Sequence, residues 1–382
     1  MSLEAKKRIT ISGYYGYDNL GDEAILEVLI SSLRGRFDRE ELEIVALSSD
    51  PEKTEEIHNV HAVKRWSPVS LIRYMKKTDL LISGGGGLLQ DRTSTLSLWY
   101  YLGIIYLARI FGVPVYVLGQ GIGPIQKKYN KYLLSKTLSL IEGFLVRDKR
   151  SVKLLNSLGV EEGILKGSDL AFLLSRDEKS SQNCLPHPDR KIVAAALRDD
   201  VSGRTDIVRA VSSGLDMLHQ NYEVSIILFS SHSPADRQIN ADLQSSTNAP
   251  CNIIDVGHLS PTQLVEMIKD VDVMIAGRLH ALIFSFMGGV PVQGISYDPK
   301  MDSLIKEVNE LGESVEFSLW HPEDLINGTE YLEDLESMFE RKEELKTAAS
   351  RVNRILTSQA EENLNMALDW IEEEFESDRS KY

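Results

Sequence analysis

Residues 271–301 read VDVMIAGRLHALIFSFMGGVPVQGISYDPKM and contain two apolar runs. The first, residues 273–276, ends in Gly277 and sets Arg278 and His280 at the head of an apolar segment of helical length. That order describes a buried strand handing two cations to a helix N-terminus. The second run, residues 290–295, follows the turn Gly288-Gly289-Val290-Pro291 and ends in Ser296-Tyr297-Asp298-Pro299-Lys300. In an open parallel sheet successive strands finish on one edge, and ligands bind at that edge. Arg278, His280 and Lys300 are therefore expected to converge on one anionic substrate.

Outward from this stretch the same alternation repeats. Strands are expected at 8–12, 42–47, 79–83, 115–118, 144–146, 191–197, 224–229 and 253–254. Helices are expected at 23–33, 68–76, 97–111, 128–140, 151–158, 205–219, 261–268 and 301–311, with a long last helix in which Leu364, Leu368, Ile371 and Phe375 share a face. Strand–helix alternation implies parallel, doubly wound sheets. Residues 176–190, RDEKSSQNCLPHPDR, are polar, proline-bearing and aperiodic, and read as a linker. The expected fold is thus α/β: two Rossmann-like doubly wound domains, 1–175 and 191–345, facing a cleft, with a C-terminal helix at 346–382.

Composition narrows the function. A chain of 382 residues with net charge −15 lacks the broad basic surface that nucleic-acid binding needs. Cys184 and Cys251 sit in no metal-ligand spacing, and a reducing, cytoplasmic setting fits two isolated thiols. No apolar leader precedes the first strand and no segment reaches transmembrane length, so neither secretion nor spanning is expected. Lys127, Lys128 and Lys131 form a local basic patch by which an acidic body can still touch a membrane surface.

Two further loops sit where strands end. Residues 13–22, with Asp18, Asn19 and Asp22, lead from the first strand into a helix. Ser83 is followed by Gly84, Gly85, Gly86 and Gly87 and then by Asp91, which suits backbone amides approaching an anion or a sugar. The spacing matches neither the phosphate-binding loop of nucleotidases nor the dinucleotide fingerprint. Acidic residues at helix starts also serve as plain caps. Arg147 at the end of 144–146 reads equally as a ligand contact or as a salt bridge. No His/Asp/Glu cluster has metal spacing, and no metal is expected.

Taken together, SGYYGYDNLGDEAIL (12–26), SGGGGLLQD (83–91), GQGIGP (119–124), VRD (146–148), GSDLAF (167–172) and AGRLHALIFSFMGGVPVQGISYDPK (276–300) resemble the ordered motifs of the polysaccharide pyruvyltransferase family, and within it the branch that anchors bacterial cell-surface proteins. The resemblance covers residues 9–301. It implies a fold like the B-type glycosyltransferases and transfer of a pyruvyl group from phosphoenolpyruvate to a sugar, giving a cyclic ketal and phosphate. No cofactor is implied beyond that co-substrate. The implied acceptor is an N-acetylmannosamine-containing, lipid-linked precursor of the secondary cell-wall polysaccharide, whose ketal surface-layer homology domains grip. Arg278, His280 and Lys300 would be catalytic, with Arg147, the glycine loop, Asp91, Asp18, Asn19 and Asp22 on the substrates. Two other readings stay open at this point: a nucleotide-sugar-dependent glycosyltransferase of the same architecture, and a non-catalytic glycan-binding protein.

Overall fold

The computed structural model describes residues 6–174, 185–186, 190–199, 201–230, 236–257, 259–312, 315–326 and 328–379. They group into two compact units, 1–174 with 356–382, and 175–355. Among the described residues, the first unit holds a seven-stranded parallel sheet of β1 (Lys7–Tyr15), β2 (Leu42–Ser48), β3 (His61–Lys64), β4 (Leu80–Gly84), β5 (Val115–Gln120), β6 (Gly143–Val146) and β7 (Ile164–Lys166). Their spatial order is β3-β2-β1-β4-β5-β6-β7. The second unit holds β8 (Ile192–Ala196), β9 (Ser225–Ser230), β10 (Cys251–Asp255), β11 (Val273–Ala276), β12 (Val292–Ile295) and β13 (Leu319–Trp320), in the order β10-β9-β8-β11-β12-β13. Both are doubly wound α/β sheets, as the alternation of strand and helix signals requires.

Each sheet has one point where successive connections turn in opposite directions. In the first it lies between β1 and β4, which pair through Ser12 and Ser83. In the second it lies between β8 and β11, which pair through Ala196 and Ala276. Helices on both faces explain why central strands are apolar throughout: the five residues of β8, IVAAA, are all buried. Side-chain caps fix several helix starts. Ser260 and Gln263 close a reciprocal capping box, and Ser94 and Asp148 accept from the amides of Ser97 and Ser151.

Several elements escape the sequence reading. Strands β3, β7 and β13 are at most four residues long and lie toward sheet edges, too short to display a period. The helices Pro51–His58, Arg237–Ser246 and Thr329–Glu340 were likewise not anticipated, although Tyr331, Leu335, Met338 and Phe339 bury one face of the last. The expected linker 176–190 and Cys184 fall almost entirely outside the described residues.

The largest departure is the C-terminal helix, which runs from Lys342 to Arg379 rather than standing apart from 346 onward. Its residues up to 355 group with the second unit and those from 356 with the first, so the first unit is not the contiguous segment 1–175. Ser168 Oγ donates to the Leu356 carbonyl at 2.5 Å, and Trp370 stacks on Tyr116 with ring centroids 6.2 Å apart. Leu364, Leu368, Ile371 and Phe375 are all buried, each contributing roughly 1.5–3 kcal/mol by transfer from water. The expected apolar face exists; Phe375 on it meets Phe37, far away in the chain, edge to face with ring centroids 5.8 Å apart.

Candidate functional site

In the second unit the strand ends at the switch point deliver the residues that the opening stretch singled out. Arg278 is the N-cap residue of the helix Leu279–Gly288 and His280 lies in its first turn. Lys300 lies in the first turn of the helix Pro299–Gly312. Because β11 and β12 are paired neighbours, both helices start from adjoining strand ends. One sheet edge thus carries two helix N-termini, where partial positive charge collects, together with Arg278, His280 and Lys300.

Arg278 is held firmly. Its Nε donates to Asp236 at 2.9 Å and its Nη2 to the other oxygen of the same carboxylate. Asp236 is fully buried, so the pair is a bidentate fork fixed from behind. His280 is half-buried, with Nε2 shielded from solvent and its ring centroid 6.1 Å from that of Phe284 one turn on. Lys300 is half-buried, and its amide donates to Asp298 Oδ1 at 3.1 Å.

Two neighbours were missed by the sequence reading. Arg198, just beyond β8, hydrogen-bonds the Tyr297 hydroxyl and sets its guanidinium carbon 5.4 Å from that ring's centroid. A guanidinium has no lone pair to offer, so the phenol oxygen is the acceptor and its proton points elsewhere. Burial, only partly offset by Arg278 and Arg198, pushes the Tyr297 hydroxyl up to about 12, which keeps it a neutral donor at ordinary pH. Arg198 follows an apolar run just as Arg278 does, so the strand-end rule could have found it. Asp236 carries no such signal, being 42 residues from its partner. Nearby, Asp302 takes the Ser296 hydroxyl at 3.1 Å and lies 2.8 Å from His321 Nε2.

The loops of the first unit turn out differently from the expected anion cradle. Gly84 and Gly85 make room for the helix Leu20–Arg36: a Cβ would stand 2.6 Å from Leu29 and 2.8 Å from Ile25 respectively. The Gly84 carbonyl accepts from the buried Tyr15 hydroxyl at 2.7 Å, and the Gly85 amide donates to the Leu118 carbonyl. At Gly86, with φ +64°, a Cβ would fall 2.2 Å from Asp22 Oδ1, so bare backbone lies against that carboxylate. Gly87 is half-buried. Asn19 donates to Asp22 at 2.5 Å, and Asp18 pairs with Lys53 at 2.5 Å on the surface.

Behind this loop stand groups that the sequence did not reveal. The Glu23 carboxylate binds the Gly16 amide at 2.8 Å and the buried His58 at 3.0 Å. Arg65 is buried among Tyr17, Trp66, Tyr100 and Tyr101 and donates to the Gly13 carbonyl at 2.8 Å. It follows β3, the strand whose shortness hid it.

Arg147 and Asp91 receive structural duties. Arg147 donates to Asp169 at 2.5 Å, with both side chains about 95% buried, and Gly121 lacks a side chain where a Cβ would meet Arg147 Nε at 2.9 Å. This is the salt-bridge reading, drawn between two of the quoted motifs. Asp91, expected on the substrate, instead accepts from the amides of Gln126 and Lys127 and from Asn130 Nδ2, at 2.7, 3.0 and 2.8 Å. It thereby pins the segment that leads into the helix Lys128–Leu138, whose N-cap residue Lys127 makes no side-chain cap bond. Burial alone would raise its pKa, but these hydrogen bonds outweigh it and hold the group below the usual carboxylate range. A depressed folded-state pKa stabilises above the unfolded value of about 3.9 and is lost as pH falls through the folded value. Asp91→Ala should accordingly cost about 1–2 kcal/mol at neutral pH and less in acid, with no change in acceptor KM; thermal melts across pH against steady-state kinetics check it.

Among the described residues no His, Cys, Asp and Glu side chains are grouped to hold a metal ion, and no helix is long and apolar enough to cross a membrane.

Comparison with known proteins supplies the family. The fold is similar to that of Anabaena Alr3699/HepE, solved with UDP and glucose, at 13% identity and TM-score 0.62, covering 97% of this chain and 100% of that one. It is also similar to S. aureus MnaA, solved with UDP, at 14% identity and TM-score 0.63, covering 96% and 97%. These likenesses bear on fold alone. The amylovoran biosynthesis protein AmsJ of Erwinia amylovora is 21% identical over 262 residues, covering 61% of this chain and 60% of that one, so the chain spans about three fifths of that relative's length. The model of the polysaccharide pyruvyl transferase family matches residues 19–299, ending one position short of Lys300. The run of motifs from the first glycine loop to the Arg278–His280 edge thus has one source, and the chain belongs to the polysaccharide pyruvyl transferase family.

Proposed function

We propose that the chain transfers the pyruvyl group of phosphoenolpyruvate to two hydroxyls of one sugar in a polysaccharide precursor, giving a cyclic ketal and inorganic phosphate. The observation that carries this reading is the sheet edge of the second unit, where Arg278 and His280 head one helix, Tyr297 and Lys300 lead into the next, and Arg198, beyond the paired strand β8, reaches Tyr297. Phosphoenolpyruvate is a compact trianion. Arg278, locked by Asp236, takes carboxylate or phosphate oxygens by its remaining donors, while Lys300 acts as a point charge.

Protonation of the enol carbon turns the CH2 into a methyl group and makes the neighbouring carbon electrophilic. A sugar hydroxyl adds to that carbon as His280 takes its proton; the C–O bond to phosphate breaks, and phosphate leaves with a proton. The second hydroxyl then closes the ketal and gives up its proton in turn. Two hydroxyl protons are released, one restores the acid that protonated carbon and one leaves with phosphate, so the reaction balances. The cations carry the developing charge on the leaving group.

The acceptor presents two hydroxyls of one sugar to this edge. Its chemistry in this proposal is an N-acetylmannosamine unit of a lipid-linked secondary cell-wall precursor at the cytoplasmic face, and its ketal is the ligand of surface-layer homology domains.

The test is incubation with phosphoenolpyruvate and such an acceptor, reading phosphate release and acceptor mass. His280→Ala should lower kcat by about 10²–10⁴-fold while phosphoenolpyruvate still raises the melting temperature. The Anabaena and S. aureus neighbours were solved with UDP, so UDP is the ligand to set against it. Protection by UDP but not by phosphoenolpyruvate, without phosphate release, would replace this reading with nucleotide-sugar transfer.

A further inference from the structure

A chain of net charge −15 carries no acidic residue from 92 to 141. That gap covers the helices Thr95–Ile110 and Lys128–Leu138, which pack side by side in the first unit. The inner face of Thr95–Ile110 is ordinary core: Leu98, Leu102, Ile105 and Ala108 are buried. Its outer face is where an amphipathic helix turns polar. Here Leu96, Trp99, Tyr106 and Ile110 recur at helical spacing and are 73%, 45%, 38% and 75% exposed. The helix is thus apolar all round, although one side of it faces water.

The adjoining helix continues the surface. Tyr129 and Tyr132 are exposed, with the Trp99 and Tyr129 rings meeting edge to face at 6.2 Å. Trp99 Nε1 donates to Asn130 at 2.9 Å, tying the two helices together. Lys128, Lys131 and Lys136 are exposed on the same short helix. Apolar side chains flanked by tryptophan and tyrosine and rimmed by lysines are the composition of a bilayer interface: the rings sit at headgroup level and the ammonium groups meet lipid phosphates.

We propose that this face docks the protein on an anionic lipid bilayer, with Leu96, Trp99 and Ile110 entering the headgroup boundary and Lys128 and Lys131 contacting phosphates. Charge complementarity selects the occupant. An otherwise acidic molecule is repelled by an anionic surface except where its acids are missing, and the longest acid-free stretch of the chain coincides with the exposed stripe of Leu96, Trp99, Tyr106 and Ile110. The proposal rests on this surface and not on the pyruvyl reading; binding is read without turnover, so failure of either leaves the other standing.

The experiment is flotation of the full chain with vesicles of phosphatidylcholine alone or mixed equally with phosphatidylglycerol. The chain should float with the mixed vesicles, not with phosphatidylcholine, and less at high salt as the charges are screened. Leu96→Glu with Ile110→Glu should abolish flotation. Lys128→Glu with Lys131→Glu, at positions outside the core, should lower the partition constant by about tenfold or more. Unchanged melting temperatures show that both variants fold. Absence of flotation on either vesicle, or flotation untouched by both variants, overturns the proposal. So does a concentration-dependent dimer in sedimentation velocity that Leu96→Glu with Ile110→Glu dissolves, since a second copy then covers the face.

Discussion

Arg147→Met should lower the melting temperature by roughly 10 °C or more, because it leaves the Asp169 carboxylate buried with no cation. Both side chains are about 95% out of solvent and their atoms meet at 2.5 Å. Breaking such a pair from one side costs about 3–5 kcal/mol, since the desolvated charge that remains has lost its counterpart. Replacing both partners removes that penalty, so Arg147→Met with Asp169→Leu should recover much of the loss. Recovery will be incomplete, because Asp169 Oδ1 also accepts from the Ala171 amide at 3.1 Å and caps the short helix Leu170–Leu173. Thermal unfolding of the two variants decides between structural and ligand roles. A single variant that melts like the parent but has a raised substrate KM would place Arg147 on the substrate instead.

Asp236→Asn should reduce kcat/KM by about tenfold or more while the protein stays folded. Asp236 touches no reacting atom in the proposed reaction; it is a positioning residue that fixes the guanidinium plane of Arg278 through two parallel hydrogen bonds. Asparagine keeps the size of the side chain but loses one acceptor and the charge that makes the fork strong. Arg278→Lys should cost a similar factor, since a lysine cannot form the fork. The two changes break one unit, so combining them should add little beyond either alone. A merely structural Asp236 predicts the opposite: a lower melting temperature with kinetics unmoved, and losses that multiply in the double variant.

The two substitutions show where sequence reading stops. Arg278 is legible because it follows an apolar run by a single glycine, and a parallel sheet sends every such end to one edge. Asp236 is not, since nothing local distinguishes it from any acidic residue near a helix start; only the 42-residue return of the chain brings it under the arginine. Asp91 shows the reverse. At the end of a glycine loop it has the look of a ligand, yet the fold spends its carboxylate on Gln126, Lys127 and Asn130. Local pattern registers that a polar group sits at a strand end and is silent on whether protein or substrate satisfies it.

Local pattern along the chain is enough to read the two doubly wound sheets, the placement of Arg278, His280 and Lys300 after strand ends, and the family. Each of these rests on short-range regularities, the alternation of buried strands with amphipathic helices and the fixed order of motifs. The path of the chain in space is what completes the first unit with residues 356–382, sets Arg147 against Asp169 and brings Asp236 under Arg278. The physical reason is common to all three. Burial obliges each charge and each apolar face to find a partner, and which partner is near is set by the path of the chain rather than by its neighbours in sequence.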